Sequence, residues 1–231
     1  MKRVPNGKSS KALSISSTRK PIPFNGIRDP ERTRRNLLDA AYREFSTSGY
    51  HGASIDKISK RAGASKQMLF HHFGSKENMY LTVLERAYEA ARAHDLELDV
   101  DGMEPKAAMR MLVGASFDYL RDHRDFVSLL ADENINKGKH IKRSKKLGSI
   151  YVPLIAKIAR TLKRGEEQGI FRSGIDPYQL YISISALRFF YFSNAYTLEA
   201  ALDIELMTNK ALKQRRDHIM DFVMSSLAAH R

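Results

Sequence analysis

From residue 29 onward, apolar and polar residues alternate with a period near 3.6, the spacing that lays one apolar stripe along a helix. Pro30 suits a first helical turn, and Leu37, Leu38, Ala41 and Phe45 form a stripe that stops at Gly49. Two shorter segments follow. Ile55, Ile58 and Ala62 share one face, Leu69 and Phe73 share another, and Gly63 stands between them where the chain must turn sharply. Ser54 and Ser65 precede the two segments as side-chain caps. The pattern predicts three helices, the second and third forming a helix-turn-helix. The outward face of the third then carries Lys66, Gln67, Met68, Phe70 and His71.

The same period continues to the end of the chain. Gly74-Ser75-Lys76-Glu77 offers a cap, followed by Met79, Tyr80, Val83, Leu84, Ala87, Tyr88 and Ala91. Residues 96–104 read as a loop, and Pro105 opens a helix through Met109, Leu112, Val113, Ser116, Phe117 and Leu120. A shorter helix starts at Asp125 with Phe126, Leu129 and Leu130 inside, and residues 136–146 are polar and basic. A long helix then carries Leu147 through Leu162, started or kinked by Pro153 and closed by Gly165 and Gly169. Asp176-Pro177 caps a helix with Leu180, Tyr181, Ile184, Leu187, Phe190 and Tyr191, and a last one holds Leu212, Ile219, Phe222, Val223 and Leu227. No strand pattern competes. The expected fold is all-α, with three helices in front and about six behind.

Charge divides the chain further. Of a net +13, residues 1–28 hold Lys2, Arg3, Lys8, Lys11, Arg19, Lys20 and Arg28 with no acidic residue. They lack any apolar period and are expected to form a disordered basic arm. Residues 29–76 add nine basic against five acidic residues, so the last two thirds is almost balanced. The positive field therefore lies at the helix-turn-helix end, as expected for a unit that neutralises phosphates. The predicted division is an arm at 1–28, a DNA-binding unit at 29–76 and a helical domain at 77–231.

Several chemistries drop out. The chain has no cysteine, which excludes disulfides, thiolate metal sites and a cysteine nucleophile. It has no phosphate-cradling glycine loop and no nucleophile elbow, so catalysis is not expected. His71 and His72 point about 100° apart on a helix, a poor arrangement for one metal. Asp132, Glu133 and His140 read as a solvated face. No signal-peptide or bilayer-spanning apolar run is visible, and a cytoplasmic protein is expected.

Residues 31–80 resemble the DNA-binding region of the TetR/AcrR family of bacterial transcription regulators. The matching residues are Leu37-Leu38-Asp39-Ala40-Ala41 through Phe45, Gly49-Tyr50, Ser54, Ile58, Ala62-Gly63, Ser65-Lys66, Leu69-Phe70, His72-Phe73 and Ser75-Lys76-Glu77. The resemblance implies that Lys66, Gln67, Met68, Phe70 and His71 face the major groove, and that Ser54, Ser65, His72 and Lys76 hold phosphates. Phe70 departs from the family's usual Tyr and has no hydroxyl to offer.

The resemblance also implies a homodimer paired through the last two helices, around Leu180, Ile184, Leu187 and Tyr191 and around Ile219, Phe222 and Val223. The expected function is a repressor on a pseudo-palindromic operator, released by a small-molecule effector. Ser116, Tyr119, Asn134, Tyr151 and Asn194, polar within apolar helices, are the candidate effector contacts. No cofactor, metal or membrane partner is called for. The rival readings are an effector-independent architectural DNA binder on the same fold, and an interaction module that binds through the basic arm alone.

Overall fold

The computed structural model describes residues 29–229; the basic arm lies outside the described residues. Asp29 caps α1 (Pro30–Gly52) by accepting the Glu31 and Arg32 N–H groups at 3.0 and 3.1 Å. Gly49 breaks α1 before its last turn with φ 65° and ψ 176°. That backbone region is open essentially to glycine alone. α2 (Ile55–Ala62) ends at Gly63, whose φ of 63° is left-handed, and α3 (Lys66–Phe73) follows. α4 (Lys76–Glu97) leads into α5 (Pro105–Asp122) and α6 (Arg124–Ile135). A 3₁₀ turn at Ile141–Arg143 and the single turn α7 (Leu147–Ile150) precede α8 (Val152–Glu167). α9 (Pro177–Ser193), α10 (Ala195–Leu202) and α11 (Asn209–Leu227) complete the bundle.

One continuous apolar core runs from Leu37 and Phe45 to Val223 and Leu227. Tyr80 of α4, fully buried, meets the Phe45 ring of α1 edge-on at 4.9 Å, so the front helices and the larger domain share a wall.

Several expectations change in detail. Of the two roles expected of Pro153, it starts α8, and the residues before it form the separate turn α7 in place of one long helix from Leu147. Gly165 lies inside α8 instead of closing it. A side chain there would run into the Phe171 ring, which folds back over the helix. That return is pinned by one antiparallel bridge between Phe171 and Ala228. α10 was hidden because Ala195–Leu202 follows an already apolar helix with no breaker between them.

The solvated face expected of Asp132, Glu133 and His140 is instead a buried junction. Glu133 and His140 are 3% and 0% exposed. Glu133 Oε1 accepts the backbone N–H groups of His140 and Ile141 at 2.8 and 2.9 Å, and Oε2 lies 2.8 Å from His140 Nδ1. Asp132 Oδ2 accepts the Tyr50 backbone N–H at 2.9 Å and the Tyr80 hydroxyl at 2.6 Å. The Tyr50 and Tyr80 rings close over His140 at 4.3 and 4.9 Å. Asp132 and Glu133 are inside because each accepts backbone N–H groups that the end of α1 and the turn after α6 leave open, and the His140 ring is held by the Glu133 carboxylate.

Of the residues expected to pair two copies, Leu180, Ile184, Tyr191, Ile219 and Val223 are instead buried in the chain's own core and Leu187 is half-buried, while Phe222 is 56% exposed. On α9 the exposed apolar residues include Ile182 and Phe190, at 56% and 55%. α9 is apolar on both sides, so its period alone could not say which side faced inward.

Candidate nucleic-acid interface

The interface is built from two eight-residue helices and the turn between them. Ser54 Oγ caps α2 by accepting the Lys57 N–H at 3.4 Å, and the Ser54 N–H is held by the buried carboxylate of Glu44 at 3.2 Å. Ser65 Oγ caps α3 through the Met68 N–H at 3.2 Å. A serine that accepts a cap bond keeps its own O–H free to donate, here beside a helix end that attracts anions.

α3 is held from beneath. Leu69 and Phe73 are buried, and the Arg34 guanidinium stacks over the Phe73 ring at 5.5 Å. Lys66, Gln67, Phe70 and His71 are exposed, with Met68 and His72 half-buried at the edges of that face. Phe70, 45% exposed, is a large apolar ring on an otherwise polar surface. Lys66 reaches back to Asp56 of α2 at 2.5 Å, an exposed ion pair that water and salt weaken.

Lys76 differs from the other candidates. Its ammonium donates to the Ala53 carbonyl at 2.7 Å and the His51 carbonyl at 3.4 Å, and lies over the Tyr50 ring at 5.1 Å. Burial lowers its pKa below the ordinary lysine value. Lys76 thus ties the end of α1 to the start of α4, a role that spacing alone did not reveal.

The candidate effector residues divide. Asn134 and Asn194 donate to the carbonyls of Leu130 and Phe190 four residues back, each finishing its own helix. Tyr119 and Tyr151 lie against the second half of α4, at His94 and at Tyr88 and Arg92, and Ser116 is joined to Arg188 of α9. The Ser116 carbonyl accepts from Arg188, Tyr151 lies under Arg92, and burial raises the Tyr119 hydroxyl's pKa, with Arg92 and Asp95 acting on it in opposite directions. Tyr119 also lines an open groove of about 720 Å³ with Tyr42, Arg86, His94 and His123.

A short helix pair with an exposed polar face, set on a helical bundle that shares its core, defines a DNA-binding transcription regulator of the helix-turn-helix class. Residues 37–83 match the family described as bacterial regulatory proteins, tetR family, and residues 105–223 match the tetracyclin repressor-like C-terminal domain. The chain belongs to the TetR family, whose members are transcriptional regulators and not enzymes.

It is 33% identical over 197 residues to the HTH-type transcriptional repressor NicS of Pseudomonas putida, covering 85% of this chain and 93% of that one. It is 27% identical to the repressor SCO4008 of Streptomyces coelicolor, over 69% and 78% of the two chains. Among solved structures, the regulator SCO4942 of Streptomyces coelicolor superposes with a TM-score of 0.63 at 22% identity, over 86% of this chain and 99% of that one. Among the described residues no helix is long and apolar enough to cross a membrane.

Proposed function

We propose that the protein is a homodimeric repressor that reads a pseudo-palindromic operator through α3 and is released by a small molecule bound in the C-terminal domain. The observation that carries this reading is the exposed row Lys66, Gln67, Phe70 and His71 above a buried Leu69 and Phe73. Lys66 and Gln67 supply donors for base edges, and Met68 and Phe70 supply apolar contact for a thymine methyl. His71 adds a further polar group on that face. Ser54 and Ser65 donate to phosphates from the helix ends, with His72 at the rim. Lys76 contributes positive charge at the start of α4, its ammonium sharing itself between phosphate and the α1 carbonyls.

Both relatives are named as repressors, which supports the sign of regulation. A second copy would meet this one on α9 and α11, where Tyr178, Ile182, Ala186 and Phe190 form an exposed stripe at four-residue spacing and Phe222 stands out from α11. Two-fold pairing sets the recognition helices about one DNA turn apart or somewhat more.

Selection of bound fragments from genomic DNA tests the proposal, repeated with Gln67→Ala. A palindromic consensus that loses preference at one position per half-site, with ~1–3 kcal/mol lost on the operator, is the expected result. Fragments without a consensus at physiological salt would favour an architectural DNA binder instead.

A further inference from the structure

The interior of the larger domain holds more positive charge than it pairs. Arg92 of α4 and Arg188 of α9 are 5% and 7% exposed. Asp95 is the buried carboxylate beside them; its Oδ2 lies 3.0 Å from Arg92 Nη2, an ion pair without hydrogen-bond alignment. Arg188 donates from Nη1 to the Ser116 carbonyl at 2.8 Å and from Nη2 to the Ser185 hydroxyl at 3.4 Å. Among the described residues, no carboxylate stands within ion-pair distance of Arg188. The buried Nε–H groups of both arginines lack an acceptor. Lys157 adds a third buried cation, but its ammonium is fully engaged by the carbonyls of Asp95, Leu96 and Leu98 at the end of α4.

Burying an ion without a counter-ion is strongly unfavourable, and removing a guanidinium from water without filling its fork adds unmet donors. The two arginines answer differently. Burial acts to lower Arg92, yet Asp95 and the neighbouring tyrosines raise it overall, whereas at Arg188 burial, joined by the Arg92 charge, outweighs Tyr181 and Asp95 and the balance is downward. Aromatic rings surround the pair: Tyr151 lies under Arg92 at 4.9 Å, Tyr181 meets Tyr151 edge-on at 5.7 Å, and the Tyr181 hydroxyl lies 3.4 Å from Arg92 Nη1. Tyr119, which lines the open groove, gives the cluster a neighbour on the solvent side.

We infer that Arg188, with Arg92 and the hydroxyl of Tyr181, forms the recognition point for a small organic carboxylate, the planar anion that a guanidinium fork binds through two parallel bonds. The inference rests on the reading of the larger domain as an effector domain, and it names the ligand class. The carboxylate supplies the negative charge that Asp95 cannot give to both arginines, and the tyrosine rings supply apolar walls for the remainder of the molecule.

The test uses the full chain with benzoate as probe, benzamide as its uncharged isostere and chloride at matched ionic strength. Calorimetric titration and thermal unfolding read binding without DNA. Benzoate should bind saturably and raise the unfolding temperature, with benzamide and chloride doing neither. Arg188→Met should fold, since it removes an unpaired buried ion, and should weaken benzoate by about tenfold or more, the loss of a charge-assisted hydrogen-bonded contact. Arg188→Lys keeps the charge and loses the fork, so it also reports if the Met variant does not fold; it should weaken benzoate by about fivefold or more. No benzoate response beyond that of benzamide, or equal benzoate affinity in either variant, overturns the site. DNA release is measured separately. Benzoate binding that leaves operator affinity unchanged keeps the site and removes the effector reading, whereas intact operator binding with no benzoate response removes only the site.

Discussion

Asp132 offers the sharpest test of how the front helices are joined to the rest. Asp132→Ala removes the acceptor of two donors, the Tyr50 backbone N–H at 2.9 Å and the Tyr80 hydroxyl at 2.6 Å. Tyr80 is fully buried, so its hydroxyl has no water to turn to, and Tyr50 is half-buried. Each unmet donor costs about 1–3 kcal/mol, and the half-buried one falls at the low end, giving about 2–4 kcal/mol in all. Asp132→Asn keeps one oxygen able to accept both bonds and loses only the charge assistance, about 1 kcal/mol. Tyr80→Phe removes one bond, again about 1 kcal/mol. Because the Tyr80 bond is shared, the double variant Asp132→Ala/Tyr80→Phe should lose less than the two single losses added together. Equilibrium unfolding in urea at unchanged slope measures all four. The reasoning fails if Asp132→Ala costs less than about 1 kcal/mol, or if Asn is as damaging as Ala.

Other consequences follow from neighbouring features. Gly63 is left-handed with open space where a side chain would go, so Gly63→Ala should cost about 1–2 kcal/mol from backbone strain alone; thermal unfolding would show it, and a neutral result would mean the turn relaxes. Phe190→Asp places a charge in the exposed stripe of α9 and should leave a folded monomer by sedimentation at micromolar concentration, whereas a persistent dimer would move the interface elsewhere. Deleting residues 1–28 should leave folding intact and flatten the salt dependence of DNA binding. Engagement of three of the seven basic residues there corresponds to a slope change of ~2.7, and an equal slope with and without the segment would show that it touches no phosphate.

Much of the front was legible because its signals are local. A serine before each short helix and a glycine between them are cap and turn chemistry, readable residue by residue. The larger domain was legible as helices but not as faces. Asp132, Glu133 and His140 looked like ordinary surface residues because their partners, Tyr50, Tyr80 and the turn at 140–141, are far away in sequence. Arg188 is illegible for the opposite reason: it is a lone charge within the apolar run of α9, whose two apolar sides leave no hint of a buried cation. A polar residue in an apolar helix needs a partner, and the sequence does not say which: the Ser116 carbonyl meets Arg188 and the Tyr151 ring meets Arg92, whereas Asn134 and Asn194 bond to carbonyls of their own helices.

The break at Gly49 bears on how modular this regulator is. A side chain built there would stand 2.5 Å from Asp132 Oδ1, so the bare backbone of α1 rests directly on the Asp132 carboxylate of α6. Anyone grafting this C-terminal domain onto a different DNA-binding unit would have to carry three things across the seam together: the bare glycine, the Tyr50 amide and Tyr80 from inside α4. A splice at residue 76 separates them and leaves Asp132 facing a stranger's backbone. A splice made beyond α4, with α6 matched to the donor of α1, keeps the joint whole. Swapped regulators of this chain should therefore succeed or fail on the compatibility of that one glycine with that one carboxylate, however well the recognition helix is chosen.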